Sequence, residues 1–295
     1  MQKLMPRAHL FAVIMAILAA LGVFGGRAHA ADRMTVTVTG KGPDVLLIPG
    51  LASSADVWDE TAKQLSASHR VHVVQVAGFA GAPVAGNADG PVVEPLVEAV
   101  DAYIKANHLK APAIIGHSMG GFTGLLLAQR HPEDVGRLMI VDSLPFFSLL
   151  FSPTATPESV RPQAAAMRDA TIAMSAETFA SQQAMVAPRY VKSPDGQALM
   201  LAWSKASSRS VVGRAMYDLL TTDVRPGLAG VKAPTTLLYP YDPAMGAPVT
   251  MIEKIYADAY AGLPGVTLKR VDDSRHFIML DQPKAFAEAV ETFLN

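Results

Sequence analysis

The chain is predicted to be an α/β protein: a mostly parallel central sheet with helices on both faces and a helical insertion. Three observations support this. Short β-type stretches alternate with helical ones from Met34 to Val141. The alternation breaks from about Pro145 to Pro226, where no convincing strand occurs, and it resumes at Thr235. Each parallel neighbour in a sheet needs a crossover connection, so alternation of this kind implies parallel pairing with covering helices.

The elements follow from their patterns. Thr35-Val36-Thr37-Val38-Thr39 has period two, while Val45-Leu46-Leu47-Ile48 is wholly apolar, as in a strand buried on both faces. Residues 56–68 read as a helix with Val57, Trp58, Thr61 and Leu65 near one face, and Arg70 to Val76 as a strand. A Gly/Ala/Pro-rich loop from Ala77 to Pro91 precedes a helix over 92–106. Ala113-Ile114-Ile115 is a buried strand, 119–131 a helix, and Leu138 to Val141 a strand. The insertion opens with prolines 145, 153, 157 and 162, then gives helical stretches bearing Met167, Met174, Met185, Met200 and Met216. Core packing accounts for these methionines most simply, although Met also suits an adaptable apolar pocket. Strand 235–239, a helix near 251–261, strand 266–271 and a last helix over 283–294 complete the body.

The 295 residues carry no evident repeat and fit one large domain with an insertion. Half are hydrophobic and 17% charged, which excludes extended disorder for most of the length. With 25 Lys+Arg against 26 Asp+Glu there is no basic excess to neutralise phosphates, so nucleic acid is not an expected partner. The absence of cysteine excludes disulfides, thiolate metal sites and a Cys nucleophile.

Residues 1–30 have the three parts of a secretory signal. Lys3 and Arg7 give a positive start, Leu10 to Phe24 an uncharged apolar run, and Gly25, Gly26, Ala28, His29 and Ala30 a small-residue end of A-x-A type. A membrane span needs about 20 apolar residues, and this run is shorter. Cleavage near Ala30 and a periplasmic or secreted protein are therefore expected, with no stable membrane span afterwards. Cleavage would leave 22 basic and 26 acidic residues, a charge of −4. The expected organisation is a signal over 1–30, a body over 31–144 and 227–295, and a helical cap over 145–226.

Gly116-His117-Ser118-Met119-Gly120-Gly121 lies directly between a buried strand and a helix. This is G-x-S-x-G in the context its mechanics require. A sharp strand-to-helix turn strains the backbone at the serine and needs small residues two before and two after it, which Gly116 and Gly120 supply. The turn lifts the Ser118 hydroxyl clear of the sheet and aims a helix N-terminus, rich in free amides, at developing negative charge. Ser118 is the candidate nucleophile.

From this point the sequence resembles the α/β-hydrolase superfamily, specifically its single-domain members with a helical cap, over about residues 34–295. The resemblance makes Gly116–Gly121 the nucleophile elbow. It likens Pro49-Gly50-Leu51 to the oxyanion loop, with Pro49 where the usual dipeptide has histidine, and it implies the amides of Leu51 and Met119 as oxyanion donors. The family order of Ser, acid, then His points to His276, in Ser274-Arg275-His276-Phe277 with Asp281-Gln282-Pro283 following. His117 adjoins the nucleophile, but neighbours on a tight turn point apart, and it is assigned to packing. For the acid, Asp242 follows strand 235–239 at the family's usual place, although Tyr239 stands where a glycine is expected. Asp142, at the end of strand 138–141, is the alternative, and its plain role would be to cap the chain entering the insertion. Asp272 and Asp273 lie too near His276 along the chain.

Other chemistries fit poorly. His69 and His72, three apart on a strand, point to opposite faces and make a bad metal pair. No phosphate-cradling loop, dinucleotide fingerprint or H-E-x-x-H occurs, and no cofactor or metal is expected. The resemblance thus implies a serine hydrolase of carboxylic esters or lactones acting on a small-molecule acyl substrate. Phe146, Phe147, Phe151 and the methionines hint that the acyl group is apolar. Perhydrolase or haloperoxidase-like chemistry, C–C bond hydrolysis on the same three residues, and a non-catalytic ligand-binding relative are the alternatives.

Overall fold

The computed structural model describes residues 32–295, so the expected signal segment lies outside the described residues. Seven strands form one sheet: β1 Met34–Gly40, β2 Asp44–Ile48, β3 Arg70–Val76, β4 Ala113–His117, β5 Arg137–Val141, β6 Thr235–Tyr241 and β7 Thr267–Asp272. Their order is β1-β3-β2-β4-β5-β6-β7. Only β1, paired with β3, runs antiparallel.

Ten α-helices flank them among the described residues: α1 Asp59–Leu65, α2 Val93–Ala106, α3 Met119–Arg130, α4 Pro157–Ala173, α5 Ala176–Tyr190, α6 Pro194–Ala206, α7 Arg209–Thr221, α8 Val249–Ala259, α9 Ile278–Asp281 and α10 Pro283–Leu294. The single helix expected over 56–68 is a 3-10 turn, Ala55–Trp58, running into α1. Ser54 caps the 3-10 turn by accepting from the Asp56 amide at 3.2 Å, and buried Val57 and Trp58 anchor it.

Alternation along the strands divides two cores. Leu46, Ile48, Ile114, Leu138, Ile140 and Leu237 pack on one face, beneath α2, α3 and α8. Val45, Leu47, Ile115, Met139, Val141 and Leu238 pack on the other, where Trp58 and Phe286 sit 6.1 Å apart, ring to ring. The central strands are buried on both sides, and this is why they read as continuous apolar runs.

Between β5 and β6 lie α4 to α7 and no strand. Each of these helices starts at a hydroxyl cap: Thr156, in a reciprocal capping box with Ser159, then Ser175, Ser193 and Ser208. Such caps satisfy helix-end amides that would otherwise lack partners. Buried α7 residues seat this layer on the body. Asp218 Oδ2 accepts from the amides of Val92 (2.7 Å) and Val93 (3.0 Å), so a cap side chain also caps α2. Of the five methionines, Met167, Met200 and Met216 line a cavity beneath the cap, Met174 packs on the core and Met185 is exposed. No helix among the described residues is long and apolar enough to cross a membrane.

The parallel strands all end at one edge of the sheet. Because β3 lies on one side of β2 and β4 to β7 on the other, the connections leaving β2 and β4 run in opposite directions. Ligands in open α/β sheets bind at such a switch, outside the strands' carboxyl ends.

Candidate active site

Ser118 follows β4 at the start of α3, with φ 53° and ψ −117°. This is an unfavourable backbone for a residue with a side chain, of the kind that active sites hold under constraint. The constraint is visible in the glycines around it. A Cβ at Gly116 would lie 2.2 Å from the Gly120 carbonyl oxygen, and one at Gly120 would lie 2.1 Å from that of Ile48. The Ser118 amide donates to the Val141 carbonyl at 2.9 Å, tying the turn to the end of β5.

The loop after β2 closes against this turn. A Cβ at Gly50 would come within 2.9 Å of His117 Nδ1 and 3.2 Å of Ser118 Cβ, so only a glycine lets the loop pass. Leu51 and Ser118 line the same cavity, and Met119 is the first residue of α3, behind the serine. Pro49 in place of the usual histidine therefore leaves the loop beside the serine.

His276 lies between β7 and α9, and its ring lines the cavity with Ser118. Its Nδ1 sits 2.6 Å from Asp142 Oδ2. A carboxylate can only accept there, so Nδ1 donates, and in the neutral imidazole this tautomer leaves Nε2 its lone pair. This corrects the expectation for the acid: the carboxylate against His276 belongs to Asp142, not Asp242. Asp142 is the first residue after β5, which neighbours β4, at φ 45°. The second Asp142 oxygen, Oδ1, accepts from the Tyr256 hydroxyl.

Asp242 is committed elsewhere. Its side chain is 3% exposed, and it accepts from Arg275 Nε at 2.8 Å and the Ala244 amide at 3.0 Å, with Lys192 Nζ at 3.8 Å. Burial pushes its carboxyl up, but the Ala244 amide, Arg275 and Lys192 outweigh it and hold the group below the usual carboxylate range. It thereby joins the loop after β6 to the histidine loop and the end of α5, where Arg275 also donates to the Pro188 carbonyl.

His117 is fully buried, as packing predicts, but it also makes a specific contact. Its Nε2 donates to the His276 carbonyl at 3.0 Å. Burial, followed by the neighbouring His276, holds it well below the usual imidazole range, so it stays neutral. Phe277, next to His276, donates its amide to the Tyr190 carbonyl at 3.1 Å, and the Tyr190 ring meets His276 edge-on at 5.3 Å. The sequence reading overlooked Tyr256 and Tyr190. Tyr256 had one legible signal, its i,i+4 spacing from Tyr260 on an amphipathic helix.

The cavity has a volume of about 630 Å³, the scale of a small-molecule site. Leu144, Phe147, Phe179, Met167, Met216 and Leu219 give it an apolar wall. Phe147 and Phe151 reach it, whereas Phe146 is buried beneath the guanidinium of Arg225. His72 is a buried body residue between Asp44 (2.9 Å) and the Tyr103 hydroxyl (2.8 Å), and His69 contacts Ser68. One group among the described residues has metal-ligand spacing: Glu98, Asp101 and His131, at α2 and the end of α3. Arg130 and Lys105 already pair with its two acids.

Comparison with known proteins identifies the family and the fold. Residues 45–289 match the model of the alpha/beta hydrolase family. A pimeloyl-[acyl-carrier protein] methyl ester esterase of Aromatoleum aromaticum is 27% identical over 262 residues, covering 84% of this chain and 97% of its own. Among solved structures, a hydrolase from Pseudomonas aeruginosa superposes with a TM-score of 0.72 at 20% identity, covering 89% of this chain and 94% of that one. The enol-lactonase of Burkholderia xenovorans superposes with a TM-score of 0.70 at 20% identity, covering 88% and 96%. At these identities the structural likeness concerns the fold.

Proposed function

The chain belongs to the alpha/beta hydrolase family, and from that premise we propose that it hydrolyses carboxylic esters through an acyl-enzyme on Ser118. The observation that carries this reading is the 2.6 Å contact of His276 with Asp142, on the cavity that Ser118 also lines.

In the proposed cycle His276 Nε2 takes the Ser118 proton as Oγ attacks the acyl carbon. Asp142 holds the ring in the tautomer that leaves Nε2 free and stabilises the imidazolium once it forms. The amides of Leu51 and Met119 receive the oxyanion; one such donor is worth about 2.7–4 kcal/mol in a comparable enzyme. His276 then protonates the leaving alcohol, and water, activated by the same Nε2, releases the acid and restores Ser118. The apolar wall beneath the cap favours an apolar acyl chain, and the esterase relative supports a simple ester over other bonds. Lactones belong to the same reaction, with the alcohol retained on the product.

The test is turnover of p-nitrophenyl esters of two to sixteen carbons by the chain from Ala31, beside Ser118→Ala. Turnover is expected to fall by at least about 10³-fold in the variant, with a burst of p-nitrophenol in the parent as the acyl-enzyme accumulates. Folded protein inactive on every ester and lactone would count against hydrolysis. Peroxide-dependent activity alone would favour the perhydrolase reading, and a parent that binds ligand without turning it over, with the same affinity in Ser118→Ala, would favour a binding role.

A further inference from the structure

Asp142 stands in a backbone conformation that disfavours it, and α8 holds it there. At φ 45° the residue is in the left-handed region, which asparagine and aspartate tolerate better than most but at a cost. Two tyrosines four residues apart, Tyr256 on α8 and Tyr260 just past its end, converge on this turn. Tyr256 donates its hydroxyl to Asp142 Oδ1. Tyr260 donates to the carbonyl of Ser143, the next residue, at 2.9 Å. Tyr239 of β6 then stacks on Tyr256 with ring centroids 4.6 Å apart and planes 26° apart. This stack gives a reason for Tyr239 where the family pattern expects glycine: the ring fixes the tyrosine that fixes the acid.

We propose that Tyr256 is a positioning residue of the reaction: its hydroxyl takes the Asp142 oxygen that His276 does not use, aiming the other oxygen at Nδ1 and setting how much negative charge the imidazolium feels. The inference rests on the assignment of Asp142 as the triad acid. Tyr256 is buried, and burial together with the nearby carboxylate raises its hydroxyl well above the usual tyrosine range, so it remains a donor throughout the working pH range. Tyr260 is raised in the same way. The other titratable groups near the pair are His117 from the nucleophile turn, kept neutral by burial, and Tyr190 from α5. Arg275, one residue before His276, is paired with Asp242.

A hydrogen bond to a carboxylate spreads its charge, and a carboxylate with less charge stabilises a neighbouring imidazolium less. Tyr256→Phe keeps the ring and the stack but removes the donor. Its kcat is expected to fall about tenfold with KM nearly unchanged, the size of one hydrogen bond to a charged group. The acid limb of its kcat/KM profile should move to higher pH by up to about one unit. 3-Fluorotyrosine introduced at Tyr256 keeps the shape, folds as the parent does and donates more strongly, so it should move the limb the other way. Tyr260→Phe removes the neighbouring hydroxyl from a carbonyl, not from the carboxylate, and should lower the melting temperature while leaving the limb in place.

Activity abolished in Asp142→Asn, with an unmoved limb in Tyr256→Phe and in the fluorinated protein, would overturn this proposal and leave the triad reading intact. Equal limb shifts in Tyr256→Phe and Tyr260→Phe would also overturn it. Full activity in Asp142→Asn would instead remove the triad reading on which it rests.

Discussion

At the scale of single residues, the turn at Ser118 shows how steric exclusion fixes a backbone. Gly120 cannot carry a Cβ without meeting the Ile48 carbonyl at 2.1 Å, a contact with backbone that no rotamer change relieves. Gly120→Ala is therefore expected to displace the loop after β2 or the start of α3 and to destabilise the protein by about 1–3 kcal/mol, the usual cost of overpacking. Thermal unfolding and kcat should fall together, and a variant with parent stability and rate would mean the turn is looser than its geometry. That Ser118 and His276 share one cavity was legible because sterics leave a local signature, glycines at fixed offsets after an apolar strand, and because His276 falls after the last strand. Asp142 was harder to read. Two aspartates each follow a strand of the same sheet, and their sequence contexts do not reveal that Arg275 and Lys192 occupy one while a histidine and a tyrosine share the other.

At the scale of elements, the strands were legible to within a residue or two because the central ones are buried on both faces and the edge ones alternate. The cap was legible as helical, and hydroxyl caps at Thr156, Ser175, Ser193 and Ser208 mark where its four helices begin. Its attachment was not legible, because long-range ties such as Asp218 to the start of α2 leave no pattern in the chain. Asp242 is another such tie, linking the loop after β6, the histidine loop and α5. Its folded-state carboxyl is held below the usual range, so its contribution to stability is present above about pH 4 and is lost as the pH falls further. Asp242→Asn should therefore destabilise the protein at pH 7 by about 1–3 kcal/mol, the size of a buried bond to a charged group, and lower its melting temperature. The difference from the parent should shrink below about pH 4. A difference that stays constant with pH would show that the carboxylate's charge is not what holds these elements together.

At the scale of the whole molecule, the site exists because the sheet order gathers the loops after β2, β4, β5 and β7 at one edge, beneath a roof of α4 to α7. The order places β5 directly beside β4, with β6 one strand further out. An acid after β5 therefore suits the reach of a histidine on the cavity that Ser118 lines, and the acid after β6 is free to secure the cap. The proposed hydrolase depends on this division of labour between two aspartates. The most direct measurement is kcat/KM on a p-nitrophenyl ester for Asp142→Asn and Asp242→Asn, both checked for folding. Asp142→Asn should lose up to about 10⁴-fold, as the equivalent change does in another serine triad, while Asp242→Asn should stay within about tenfold of the parent. A loss of that size in Asp242→Asn, with Asp142→Asn near the parent, would contradict the account.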